Sequence, residues 1–580
     1  LDNWSGEIMN WELLEDVELV RHAQAGEREA FGELVKRHRS KMYGYARAIT
    51  QESFLAEDIV QDALVRAFMH LGKLVDMERF LPWVHRIVRN QAFTRMKSSP
   101  AARERTFSAL QPAGAEKAVH GEWNNLDAIL HRLSRSAEER SAREDVPEEQ
   151  LLRQETLHVL TGIIECLKPR ERLVFESHFF DQLSPREIAK LFELSTANVY
   201  QIISRSRRKV IQEKIRVTVD SYIKTRKDMG SMKKVILPDS ETISEVRTWN
   251  TAVDALYTML KYTDKRLSYP MVAGLTGQAF RINIIPKTVH IAGPTAYNFG
   301  DSMTKGLRNA GFHARFVDGL SASIGLNTNL IDPSLLAKEA MGKREIHHAL
   351  PEALDLIHHS LDRGYPVLAW DIFFPEFGIL YGYDDEQRLL LAEECGRRDT
   401  LPYENLGRSV LEEIFVLALD TPIETGWRDQ VRNALRMIVD HYEGRETNTP
   451  SDSVKGLKAY DVWCEAFREG NVEPNGNAYN IAVINDGRRN ALEFVKEVLS
   501  GWPQQDEADQ QIRGLLGETA ELYEVISGHY GALHQMFPFP EGGDPNSPEN
   551  ARQSIELLQT IKTYEQAGVS KLLNILDKLG

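Results

Sequence analysis

The sequence predicts a multidomain chain: all-α units over roughly the first 225 residues, then an α+β domain, then a helical bundle. Three observations predict this. At 580 residues the chain is too long for one hydrophobic core. Apolar residues at helical spacing fill the first part and include two short helices joined by a tight turn, the helix-turn-helix pattern. Strand-like runs then occur between residues 288 and 420, with helical patterns between them and an almost unbroken helical pattern after them.

Composition is that of an ordinary globular chain. No run of about 18 apolar residues occurs, and the start lacks a basic-then-apolar leader, so a cytoplasmic protein without a membrane partner is expected. Residues 1 to 10 carry no structural weight in this reading. The three cysteines, Cys166, Cys395 and Cys464, are far apart and form no CxxC pair. They are read as buried small residues in a reducing compartment rather than zinc ligands or a disulfide framework. The net charge of −15 is uneven, roughly +1 over residues 1 to 230 and about −16 beyond. Overall acidity does not exclude nucleic acid, because phosphate contacts need only a local basic stripe.

In order along the chain, Leu19, Val20, Ala23, Phe31, Leu34 and Val35 make an amphipathic pattern broken at Gly26, a helix pair. In "DIVQDALVRAF" (58–68), Ile59, Ala63, Leu64, Ala67 and Phe68 follow the 3.6 period, while Asp58, Gln61 and Asp62 share the opposite face. A solvated helix face has the same pattern. After "LGKLVDMERF", Pro82 suits the first turn of a helix "LPWVHRIVRNQAFTRMK". There Trp83, Arg86, Asn90 and Phe93 share a face beside Arg89: cations for phosphates, flat faces for unstacked bases. Core packing is the other reading of Trp83.

These residues carry a resemblance. "DIVQDALVRAF", a short loop and "WVHRIVRNQAF" resemble conserved region 2 of the extracytoplasmic-function sigma factors. The resemblance implies that Asp58, Gln61 and Asp62 face core RNA polymerase. It also implies that Trp83, Arg86, Arg89 and Asn90, with the loop from Gly72 to Arg79, face the promoter −10 element. Residues 11–97 are thus expected as the polymerase- and −10-binding unit.

Residues 98–149, with "SSPAARER" and "SRSAEERSARED", show little apolar periodicity and read as a flexible linker. Folding signals resume over 150–223. Ser184, Pro185 and Glu187 form a capping box that starts a helix with Ile188, Ala189 and Leu191. The turn "ELST" leads to a helix with Val199, Ile202, Ile203, Ser206 and Val210 inward. Its outward face offers Asn198, Tyr200, Gln201, Ser204 and Arg205 to base edges and Arg207, Arg208 and Lys209 to phosphates. The stretch resembles sigma region 4, which implies that Ser195, Thr196, Asn198, Tyr200, Gln201, Ser204, Arg205, Arg207 and Arg208 read the −35 element. Tyr200 and Ile202 stand where the family commonly has lysine and arginine, so a promoter sequence does not transfer.

Residues 224–240 read as a linker, 241–422 as the α+β domain and 423–580 as a bundle of about five helices. "GLTGQAFRINI", "EFGILYGYDD", "GLKAYDVWCEAF" and "NAYNIAVINDGRRNALEFV" resemble the butirosin-biosynthesis acyltransferase-like family, which looks papain-like. That likeness implies a cysteine at the first helix start and a histidine before the "GYDD" hairpin. This chain has Trp249, Asn250 and Thr251 at the first place and Glu376 and Phe377 at the second. Without a thiolate and its base, covalent acyl chemistry lacks its nucleophile, and Thr251 shows no activating partner in the sequence. A non-enzymatic sensor for a small-molecule or peptide ligand is therefore expected, with no catalytic residues and no cofactor. The rival is a bifunctional protein whose C-terminal half keeps acyltransferase or peptidase-like activity. A third reading is a DNA-binding adaptor that never touches polymerase. His347, His348, His358 and His359 lack arranged carboxylates, so no metal site is expected. Asp384 and Asp385 are expected in a strand turn, and "FPFP" near residue 537 as a helix stop.

Overall fold

The computed structural model describes residues 11–50, 53–74, 77, 80–81, 83–85, 87–88, 91–92, 163–179, 183–238, 248–320, 338–446 and 453–580. The linker expected at 98–149 lies outside them. The chain divides into two compact units, Leu1–Val217 and Thr218–Gly580.

The first unit begins with α1 (Asp16–Gln24), α2 (Arg28–Thr50) and α3 (Ser53–His70). Gly26 takes the left-handed conformation that separates the first two (φ 105°), as its place in the pattern predicts. Leu19, Val20, Leu34, Met42, Ile59, Val60 and Ala63 meet in one core. Asp16 ties the helix pair, accepting from Arg37 (3.1 Å) and lying 2.6 Å from the His38 ring. The second helical group is α4 (Pro169–Phe179), α5 (Pro185–Leu191) and α6 (Thr196–Asp228). Val174, Ile188, Ala189, Val199 and Ile203 form its small core.

The boundary between units falls inside α6, whose last turns belong to the second unit. Val219 and Ile223 are buried in a core with Leu354, Ile357, Leu380 and Tyr383. A linker at 224–240 is thus corrected over its described part: residues to Asp228 complete the helix, and β1 (Lys234–Ile236) pairs with a central strand. Nothing in "KKVILP" alternates strongly enough to announce a strand. It holds because a partner edge is waiting for it.

The second unit continues with α7 (Thr251–Lys261), α8 (Tyr269–Leu275), β2 (Asn283–Ile284), α9 (Phe299–Asn309), β3 (Phe312–Gly319) and α10 (Leu350–Asp362). Then come β4 (Val367–Trp370), β5 (Phe377–Asp384), β6 (Leu389–Glu394), β7 (Arg397–Pro402) and β8 (Ile414–Pro422). Among the described residues the antiparallel sheet runs β3-β8-β4-β5-β6-β7. One side of β5 is shared: β4 takes Phe377–Leu380 and β1 takes Gly382–Asp384, while β6 fills the other side. Gly382 permits this, since a Cβ there would meet the Val235 carbonyl oxygen at 2.6 Å. The run "TVHIAGP", expected as a strand, instead makes turns ending in a 3₁₀ helix at Gly293–Thr295.

Five long helices close the described chain: α11 (Trp427–Tyr442), then, after β9 (Val454–Lys455), α12 (Ala459–Glu469), α13 (Pro474–Gly501), α14 (Glu507–Met536) and α15 (Pro548–Leu579). They do not form a separate domain after residue 422. A single core runs from Leu256 and Phe280 through Phe415 and Leu417 to Tyr523 and Ile575. At its centre the Arg488–Glu565 ion pair (2.5 Å) has no exposed side-chain surface. Arg488 also donates to the carbonyls of Ala279 (2.9 Å) and Arg281 (3.1 Å).

Candidate nucleic-acid interface and a cleft in the C-terminal unit

On α3, Asp58 and Gln61 are exposed and Asp62 is half-buried, whereas Ile59, Val60 and Ala63 are buried. The helix therefore holds the acidic and amide set on its outer face, as the period requires. Phe68 departs from the expected inward stripe: it is 45% exposed and leans on Phe31 (5.0 Å between rings). Trp83 is a correction. Only 7% of it is exposed and it packs with Phe80, Val84 and Val88, so its ring belongs to the core and offers no face to a base. Arg86, Arg89, Asn90 and half of the loop to Arg79 lie outside the described residues.

The helix-turn-helix is built as the sequence predicts. α5 starts at Pro185, and Leu194 N–H reaches back to the Ala189 carbonyl (2.8 Å). Glu193 takes a left-handed conformation (φ 53°), which lets the chain reverse within the short turn. The Ser195 hydroxyl accepts from Asn198 N–H (3.2 Å), an N-cap for α6. Val199, Ile203, Ser206 and Val210 face inward, and Ile202 is half-buried. Asn198, Tyr200, Gln201, Ser204, Arg205, Arg207 and Arg208 are exposed together with Ser195, and Thr196 is half-buried. Lys209, expected among the phosphate contacts, instead ion-pairs with Glu171 (2.8 Å) and holds that carboxyl below its usual range.

This face has the chemistry of a major-groove reader: amides and hydroxyls in the first two turns, guanidiniums behind them. Gln201→Ala should weaken specific DNA binding by ~1–3 kcal/mol and relax preference at one base pair, whereas Arg208→Ala should weaken all sequences alike and lower the salt slope by about 1. Salt-titrated binding to a randomised duplex pool checks both.

The second unit holds a cleft lined by Trp249, Thr251, Gln278, Arg281, Asn283, Glu376 and Tyr479 among others. Thr251 opens α7 over the Asn250 N-cap and donates to Glu376 (2.6 Å); the Tyr479 hydroxyl donates to the other oxygen of the same carboxyl. The partner that the sequence did not reveal for Thr251 is thus Glu376, from the loop before β5. Burial pushes the Glu376 carboxyl up, against these two donors. Phe539 of "FPFP" packs on Trp249 (5.4 Å) and Tyr479 (5.5 Å) at the rim, and Phe537 ends α14 as expected.

Cys395 is exposed rather than buried, and so is Cys166; Cys464 is buried. Desolvation of its sulfur, with Glu376, Glu394 and Asp254 nearby, pushes the Cys395 thiol up to about 12 and so disfavours its thiolate. His358 is consumed by Tyr222 (2.9 Å) and Tyr403 (3.1 Å). Asp384 makes the expected turn through Gln387 N–H (3.0 Å), but Asp385 does not. It is buried, and accepts from Arg226 (2.9 Å) and Tyr403 (3.0 Å). Among the described residues no helix is long and apolar enough to cross a membrane, and no group of three or more potential metal ligands converges.

In comparison with known families, residues 34–99 match Sigma-70 region 2 and residues 157–210 match Sigma-70, region 4. The first unit thus matches the two sigma-70 regions in their order along the chain. Among individual relatives, a probable RNA polymerase sigma factor RfaY of Xanthomonas campestris pv. campestris is 30% identical over 33% of this chain and 42% of its own length. The chain thus spans less than half of that relative. The RNA polymerase sigma-H factor of Pseudomonas aeruginosa is 26% identical over 33% of this chain and 90% of its own. A solved structure of CnrH in complex with the cytosolic domain of CnrY covers 34% of this chain and 94% of that one at 23% identity. Its TM-score of 0.13 is too low to support a fold comparison.

Proposed function

We propose that this protein is an extracytoplasmic-function-type sigma factor with a built-in regulatory unit: it binds core RNA polymerase, recognises a promoter and starts DNA-templated transcription. Asp58, Gln61 and Asp62 engage polymerase. The exposed residues from Ser195 to Arg208 on and before α6 read the −35 element, and Arg86, Arg89 and Asn90 serve the −10 element. The observation that carries this reading is the exposed polar and basic face of α6 behind a capped helix-turn-helix, in a unit that also matches region 2. Run-off transcription with core polymerase tests it. Changing Asp58, Gln61 and Asp62 together to alanine should reduce initiation at least tenfold while duplex binding by α6 persists; unchanged initiation would favour the adaptor reading. A truncation for this assay belongs after Val217, because residues 218–238 supply core to the other unit.

The second unit acts as a ligand sensor with a papain-like ancestry, its cysteine and histidine positions held by Thr251 and Glu376. Support comes from the cleft itself, which survives around that pair. The Thr251–Glu376 hydrogen bond also favours a second reading, an alcohol nucleophile with a carboxylate base. Thioester or amide turnover by the full chain that Thr251→Ala abolishes would establish it.

A further inference from the structure

The cleft contains polar groups that the protein itself leaves unused. Asn283 is 2% exposed, yet neither its amide nitrogen nor its amide oxygen has a hydrogen-bond partner among the described residues. Arg281 Nε, 8% exposed as a residue, is in the same condition. The Gln278 amide lies beside the Tyr297 hydroxyl, and neither Gln278 Nε2 nor the Tyr297 hydroxyl makes a hydrogen bond of normal geometry. Each buried group left unpaired costs about 1–3 kcal/mol of stability, and such groups concentrate where a ligand completes them.

Both charged side chains in this place are already engaged. The Arg281 guanidinium meets Glu446 and Ser302 (3.1 Å) and lies over the Tyr297 ring (4.3 Å). The Glu376 carboxyl is taken by Thr251 and Tyr479. An anionic ligand would meet no unpaired cation, and the Glu376 carboxyl already accepts two hydrogen bonds. Ile282, Phe377, Val483 and Ile484 supply an apolar wall.

From this inventory we infer that the cleft binds a small neutral molecule bearing a primary carboxamide or a lactam together with an apolar body. An amide side chain free at both ends pairs reciprocally with a group that presents C=O and N–H on the same side. Primary amides and lactams do so; a trans secondary amide does not. Asn283 makes that pair, Arg281 Nε or Gln278 Nε2 donates to the second lone pair of the ligand carbonyl, and the apolar wall receives the rest.

This assignment rests on the sensor reading of the second unit but is tested apart from it. The full chain is titrated calorimetrically with N-acetyl-L-leucinamide, its N-methylamide and the free acid. Expected is saturable binding of the primary amide, at least tenfold weaker for the other two, and lost in Asn283→Ala and Gln278→Leu. Because Asn283 makes no side-chain bond, Asn283→Ala should also leave the thermal midpoint unchanged or higher. Equal binding of the three probes, no binding of any, binding retained by both variants, or a large loss of stability in Asn283→Ala would each overturn the assignment. Amide binding that leaves run-off transcription unchanged would keep the assignment and sink the sensor reading instead.

Discussion

Glu565→Leu should lower the denaturation free energy of the full chain's second unit by ~3–5 kcal/mol, read as a shifted urea midpoint. The change leaves Arg488 charged, fully buried and without its carboxylate. Four tyrosines surround that pair. Tyr460 donates to Glu565 (3.3 Å) and is 2.8 Å from the Tyr530 hydroxyl, while Tyr442 and Tyr523 are 3.1 Å apart. They hold partial dipoles toward the pair but cannot neutralise a guanidinium. Removing both partners, Arg488→Met with Glu565→Leu, should recover part of the loss, since no bare charge remains. Recovery should be incomplete because the Ala279 and Arg281 carbonyls lose their donor. A single Glu565→Leu variant as stable as the parent would mean that the pair contributes nothing.

The second large effect is on acid stability. Burial, aided by the Arg226 charge and opposed by Asp385 and Asp362, lowers His358 to about 4. An unfolded histidine titrates near ~6.5. Between these values the unfolded chain holds a proton that the folded one does not, so stability rises with pH across the window. The contribution is complete above about pH 6.5 and gone near pH 4, a change of roughly 3 kcal/mol. His347, lowered to about 4 by burial and by His348, adds in the same direction. Asp254, raised to about 6 by burial, works against both as its folded form takes up a proton earlier. His358→Gln keeps a polar group between the Tyr222 and Tyr403 hydroxyls and should flatten the urea-midpoint profile by about one proton between pH 4 and 6.5. An unaltered slope would show that His358 is charged in the folded state.

What could be read from the sequence was what local periodicity encodes. The helix pair around Gly26, the inward stripe of α6, the β5–β6 hairpin and five closing helices all follow from spacing along one segment. What could not be read depends on a second segment. β1 is a strand only because half of one side of β5 lies open for it, 146 to 150 positions downstream across the three pairings. Thr251 and Glu376 meet across 125 positions, which no motif spacing signals. Trp83 looked like a base platform because its face also carries arginine, but Phe80 and Val84 claim the ring. Asp385 sits in a dipeptide that spells a turn, yet Arg226 draws it inward. An arginine 159 positions earlier was the missing signal.

Arg488 joins two parts of the second unit that the sequence keeps some 285 positions apart. Its guanidinium grips the backbone of the short segment carrying Gln278 and Arg281, while its charge is held on α15 by Glu565. It acts as a strut between the cleft floor and the bundle. A molecule that stiffens the floor should therefore slow amide hydrogen exchange in the buried turns of α13 and α15, even though α15 contributes nothing to the cleft lining.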